Sequence, residues 1–150
     1  MRTWSSTSAV HGFSLGASGA LKLVFKYPEL STSAVAYGGG SINIERTKDP
    51  WILDILERNL DSRPELIHAN NTYHFLEENH EVVRAAGIAF LLICGEEDEW
   101  LQSAIDFQSA LLGKAISVEL RTVPGVGHDI QGLTKAEGRN AALFQDRVFR

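Results

Sequence analysis

The residues Ile88-Ala89-Phe90-Leu91-Leu92-Ile93-Cys94 form an unbroken apolar run, with Gly87 before it and Gly95 after it. The run is too short for an ordinary helix and lacks polar alternation, so it predicts a strand buried on both faces. Strands of that kind lie inside parallel sheets. A parallel sheet needs crossover connections, usually helical, between successive strands.

The rest of the chain supplies them. Residues 9–13 are short and apolar and run into Gly12-Phe13-Ser14-Leu15-Gly16. Behind them Ala17, Ala20, Leu21, Val24 and Phe25 fall on one helical face, and Pro28 ends that helix. Ser33-Ala34-Val35-Ala36-Tyr37 reads as a strand, followed by the loop Gly38-Gly39-Gly40. Residues 41–71 are less regular. There Pro50, Trp51, Ile52, Ile55 and Leu56 suggest a helix, with Pro64 breaking the segment. Phe75, Leu76, Val82, Val83 and Ala86 mark a second amphipathic helix up to Gly87. After the central strand, Trp100, Ala104, Phe107 and Leu111 repeat at helical spacing, with Gly113 at the expected C-cap. Ile116, Val118 and Leu120 alternate with Ser117, Glu119 and Arg121, a strand with one wetter face near a sheet edge. Thr134-Lys135-Ala136-Glu137 has capping-box spacing and is expected to open a last helix carrying Ala141, Phe144 and Val148. The fold class is α/β, with about four parallel strands flanked by helices in a single domain over 1–150.

Composition narrows the function. Lys plus Arg number 14 against 19 Asp plus Glu, and no basic block occurs, so nucleic-acid binding through phosphates is not expected. No apolar run approaches the roughly 18 residues of a membrane span. Met1-Arg2-Thr3-Trp4-Ser5-Ser6 lacks the apolar stretch of a signal peptide. Cys94 is the one cysteine, which excludes an internal disulfide. These features lead to the expectation of a soluble, cytoplasmic protein.

Gly12-Phe13-Ser14-Leu15-Gly16 matches G-x-S-x-G between a strand and a helix, the nucleophile-elbow pattern. Small neighbours permit the sharp turn, and the helix start brings free N–H groups and partial positive charge. A serine hydroxyl needs a base, and that base needs an orienting acid. Gly95-Glu96-Glu97-Asp98 follows the central strand and Pro124-Gly125-Val126-Gly127-His128-Asp129 follows the last one. Serine, carboxylate and histidine therefore occur in the order that the elbow pattern predicts. Glu97 and Glu99 are rivals to Asp98, whose bland alternative is a solvated acidic loop. Asp129 reads as structural. His11, His68, His74 and His80 share no metal-ligand spacing, so no metal is expected. Gly38-Gly39-Gly40 lacks the Lys-Ser/Thr of a phosphate loop and is placed near the pocket mouth. Cys94 reads as a small buried hydrophobe.

These stretches, with Gly12 to Ala20, Cys94 to Asp98 and Val123 to His128 in the lead, resemble the C-terminal half of an α/β-hydrolase. The group resembled is the serine esterases that include esterase D-like enzymes and feruloyl or acetyl-xylan esterases. The resemblance covers residues from about 9 to 133. It implies Ser14 as nucleophile, His128 as general base, Asp98 as orienting acid and the backbone N–H of Leu15 as an oxyanion donor. The implied activity is hydrolysis of a small-molecule ester through an acyl-enzyme, with no cofactor. The alternatives are an impaired or non-catalytic remnant acting as an interaction module, and an acyltransferase or thioesterase. Only 13 residues precede Ser14, so the strands and second oxyanion donor that the family carries upstream are expected to be missing. Self-association through an exposed sheet edge is the corresponding expectation.

Overall fold

A computed structural model describes residues 8–150. The opening stretch Met1-Arg2-Thr3-Trp4-Ser5-Ser6, read above for a signal peptide, lies outside the described residues. Four strands, β1 (Ala9–Phe13), β2 (Ser33–Tyr37), β3 (Ala89–Gly95) and β4 (Val118–Val123), form one sheet in the order β1-β2-β3-β4. Every adjacent pair is parallel. The register aligns Phe13, Tyr37, Ile93 and Arg121 in one row, so the segments after all four strands emerge at one edge.

Burial follows position in the sheet. β2 is buried throughout and β3 nearly so, whereas β1 and β4 at the two sides are mostly half-buried. The continuous apolar run is thus central, and the alternating Val118–Val123 strand is lateral.

Because the strands advance one place at a time, right-handed crossovers put their helices on one face. There α1 (Leu15–Lys26), α4 (Thr72–Ala85) and α5 (Leu101–Gly113) pack through Leu21, Val24, Phe25, Leu76, Phe107 and Leu111 against Phe90 and Leu92. The other face carries Val35, Tyr37, Leu91 and Ile93 and is covered by α6 (Ile130–Phe149) through Leu133, Ala141 and Phe144.

Segment 41–71 contains α2 (Pro50–Leu60) and a short α3 (Pro64–His68). Pro64 starts α3 instead of simply breaking the segment, because a proline lacks only the N–H that a first helical turn leaves unused. Three further local expectations are corrected. Gly113 is the last residue of α5, and Ala115, at φ 56°, takes the left-handed turn. Ile116 is buried but precedes β4. Thr134 does not open α6: Asp129 caps it, accepting from the N–H groups of Gln131 and Gly132 at 3.0 and 3.1 Å. The Thr134 hydroxyl donates back to the Ile130 carbonyl at 2.7 Å, inside the helix.

Candidate active site

Ser14 sits between β1 and α1 with φ 59° and ψ −122°. This positive φ is costly for a residue with a side chain. The surroundings hold it there: the Ser14 N–H donates to the Tyr37 carbonyl at 2.9 Å, tying the turn to β2. Gly12 makes the turn possible, since a Cβ there would lie 2.0 Å from the Gly16 carbonyl oxygen. Gly16 is different. A Cβ on it would meet nothing within 4 Å, so close packing explains the first glycine of the pentapeptide and not the second.

Asp98 comes from the turn after β3. Its side chain is fully buried while Glu96, Glu97 and Glu99 are exposed, so the loop is not uniformly solvated. One carboxylate oxygen accepts from the Trp100 N–H at 2.8 Å. The other faces His128 Nδ1 at 2.9 Å.

His128 comes from the loop after β4. This loop lies on the Asp98 loop through the Glu97 N–H, which donates to the Val126 carbonyl at 3.0 Å. Gly95 allows that approach, because a Cβ there would be 1.9 Å from the Val126 oxygen. The His128 ring also packs on Phe13, with centroids 4.7 Å apart, and its Nε2 lies 2.8 Å from Ser14 Oγ.

Ser14, His128 and Asp98 therefore form one hydrogen-bonded chain. With Asp98 ionised, Nδ1–H donates to the carboxylate, which leaves Nε2 to accept the serine proton. Leu15 is the first residue of α1, so its N–H belongs to the donors that a helix start leaves unused. Such a donor can stabilise an oxyanion formed at Ser14. Cys94 lies buried beneath. Burial, then the nearby Asp98 carboxylate, push its thiol up to about 12, away from nucleophile chemistry.

Gly38 and Gly39, at φ 70° and 125°, carry the loop after β2 past the site. A Cβ on Gly38 would come within 2.6 Å of the Phe13 ring and 3.2 Å of His128. Ser18 donates to the Gly40 carbonyl at 3.2 Å, and the Gly40 N–H donates to Ser103 Oγ at 3.1 Å. These bonds pin the loop between α1 and α5.

Sequence periodicity put Trp51 and Trp100 on apolar helix faces, but both line the small pocket at Ser14. Their rings are 5.6 Å apart. A tryptophan at the first turn of a helix, as Trp51 is, was the available signal. His68 and His74, which share no ligand spacing, lie with ring centroids 3.7 Å apart and planes tilted by 42°, and His68 Nδ1 meets Glu45 at 2.9 Å. No group of three or more metal-ligating side chains occurs among the described residues, and no helix among them is long and apolar enough to cross a membrane.

No family model and no curated protein matches the chain. Solved structures do. A ferulic acid esterase matches with TM-score 0.67 and 23% identity, over 95% of this chain and 52% of that one. An S-formylglutathione hydrolase from Agrobacterium tumefaciens matches with TM-score 0.71 and 21% identity, over 95% and 50%. A fluorophosphonate-binding serine hydrolase of Staphylococcus aureus matches with TM-score 0.64 and 19% identity, over 91% and 53%. At these identities the likeness shows the fold. The chain has part of the α/β-hydrolase fold and spans about half the length of the structures it matches.

Proposed function

We propose that this α/β-hydrolase-fold chain is a serine hydrolase of carboxylic esters working through an acyl-enzyme. Ser14 Oγ attacks the ester carbonyl as His128 Nε2 takes its proton, and Asp98 holds the imidazole in the productive tautomer. The Leu15 N–H donates to the oxyanion. His128 returns the proton to the leaving alkoxide, which departs as the alcohol. Water then attacks the acyl-Ser14 carbonyl, giving its proton to His128. The acid leaves and Ser14 recovers its hydrogen.

The observation that carries this reading is the continuous chain from Ser14 Oγ through His128 to Asp98, at 2.8 and 2.9 Å. The matched structures support it, since their names are those of esterases and serine hydrolases. A thioester substrate is the second reading, favoured by the S-formylglutathione hydrolase and by an acyl-protein thioesterase of Zea mays matched at TM-score 0.53. The same relay serves both.

The test is a fluorophosphonate probe, whose label should map to Ser14 and vanish in Ser14→Ala. His128→Ala should suppress labelling nearly as far, because residues of a relay act as a unit. Labelling that survives loss of His128 would rule the mechanism out. Rates on an oxygen ester and its thioester counterpart decide between the two substrates.

A further inference from the structure

A groove leaves Ser14 along the outward side of α1. Leu15, Ser18, Gly19 and Lys22 fall at i, i+3, i+4 and i+7 and form its floor, while Leu21, Val24 and Phe25 of the same helix face the core. Ile42, Ile52 and Leu56, from the segment after β2, form the facing apolar wall. The groove holds about 200 Å³. It shares Leu15, Ser18, Ile42 and Ile52 with the small pocket at Ser14, so the two are continuous.

One charged side chain lines this groove, and it stands at the far end. Lys22 Nζ donates to the side-chain oxygen of Asn70 at 3.2 Å, a neutral partner instead of a carboxylate. Lys22 follows Ser14 by eight residues, about 12 Å of helical rise. Its Cα–Cβ bond tilts toward the helix N-terminus, the end that holds Ser14, as in any α-helix. No residue of the His128 loop lines the groove, which departs from Ser14 along α1. The leaving oxygen must face His128 Nε2 to be protonated, so a chain running away from His128 is assigned to the acyl side.

Resting on the esterase reading above, we propose that this groove takes the acyl chain and that Lys22 reads a carboxylate at the chain's far end. The preferred substrates are then half-esters of aliphatic dicarboxylic acids. The apolar walls accept the methylenes. The ammonium supplies the one charged contact, in surroundings partly shielded from water, where an ion pair is stronger than in bulk solvent.

The test uses two p-nitrophenyl esters with the same leaving group, the hexanoate and the half-ester of adipic acid. In the unmodified chain kcat/KM for the carboxylated ester should exceed that for the neutral one by roughly three- to tenfold, the span from a half-exposed ion pair to a charge-assisted hydrogen bond. Lys22→Met should bring the ratio to about one, and Lys22→Glu below one. Each ratio is internal to one protein, so a general loss of activity does not move it. Alkyl fluorophosphonates with and without a terminal carboxylate give the same ratio from labelling rates, without turnover. A ratio of one or less in the unmodified chain, or one that Lys22→Met leaves unchanged, would overturn the proposal while Ser14 labelling stays intact. Loss of Ser14 labelling itself would overturn the underlying reading instead.

Discussion

At Ser14 a strained backbone, a hydroxyl and a helix start coincide, and the glycine-flanked pattern around it marks all three, although the bond to Tyr37 helps to hold the strain. That is why Ser14, Asp98 and His128 were legible: each stands in a short pattern directly after a strand. The lining of the Ser14 pocket by Trp51 and Trp100 was not, because it comes from what folding places across from them. The burial of Asp98 beneath three exposed glutamates is a second such case. Asp98→Asn tests its role directly. The amide can donate to Nδ1, which favours the tautomer with a proton on Nε2, facing Ser14. We expect kcat to fall by about 10⁴ with the fold intact, measured as turnover beside a circular dichroism spectrum. Cys94 yields a pH prediction. Its thiol rises from the ordinary 9.0 to about 12 in the folded chain, through burial first and the Asp98 charge second. Above pH 9 the folded state therefore binds more protons than the unfolded state. The stability from keeping the thiol neutral is full below the unfolded pKa and is lost as pH rises through the folded one. Urea midpoints should fall more steeply between about pH 9 and about pH 11 in the unmodified chain than in Cys94→Ala. Parallel slopes would remove Cys94 as the cause.

At the level of elements, short apolar runs and one alternating stretch located the strands, and hydrophobic period located the long helices, since each of those signals spans a whole element. Boundaries were less legible because several local devices compete for them. Thr134 and Glu137 have capping-box spacing, yet Asp129 caps α6 five residues earlier, placing the helix start directly behind His128. Gly113 offered a left-handed turn that Ala115 makes instead. The α3 turn leaves no legible pattern, because a five-residue helix carries too little periodicity. The crossings between elements carry a testable asymmetry. Gly12 and Gly95 each have a neighbouring backbone oxygen within 2.0 Å of where a Cβ would stand, and backbone there cannot yield without moving a strand end. Gly12→Ala and Gly95→Ala should each cost about 3 kcal/mol or more, which is roughly 6–12 °C in Tm for a chain of this size. Gly16→Ala meets open space within α1 and should raise stability by about 0.5 kcal/mol. Thermal denaturation of the three variants checks the ranking. A Gly16→Ala loss as large as that of Gly12→Ala would mean that the crossing is packed differently.

For the whole molecule, a parallel sheet flanked by helices was legible because alternating strands and helices have few arrangements once crossovers are right-handed. The outer strand on one side, β1, leads into Ser14 yet is mostly half-buried, with His11 exposed at its middle. Among the described residues it pairs only with β2, and its far side presents unpaired backbone donors and acceptors. The face beyond it is thinly covered, since α6 packs on Val35, Tyr37, Leu91 and Ile93, from β2 and β3. Leu15 and Leu23 of the adjoining α1 are 58% and 42% exposed. An open parallel edge beside exposed apolar side chains is a template for strand addition by another copy. We therefore expect the 150-residue chain to elute above its 16.5 kDa mass, with an apparent size that rises with concentration. A charge at the middle of the edge should oppose this, because a lysine would have to be desolvated on pairing. His11→Lys, at an exposed position that touches neither Ser14 nor His128, should shift the distribution toward monomer. Light scattering coupled to size-exclusion chromatography reads both proteins. A monomer at every concentration in the unmodified chain would show that β1 is already protected.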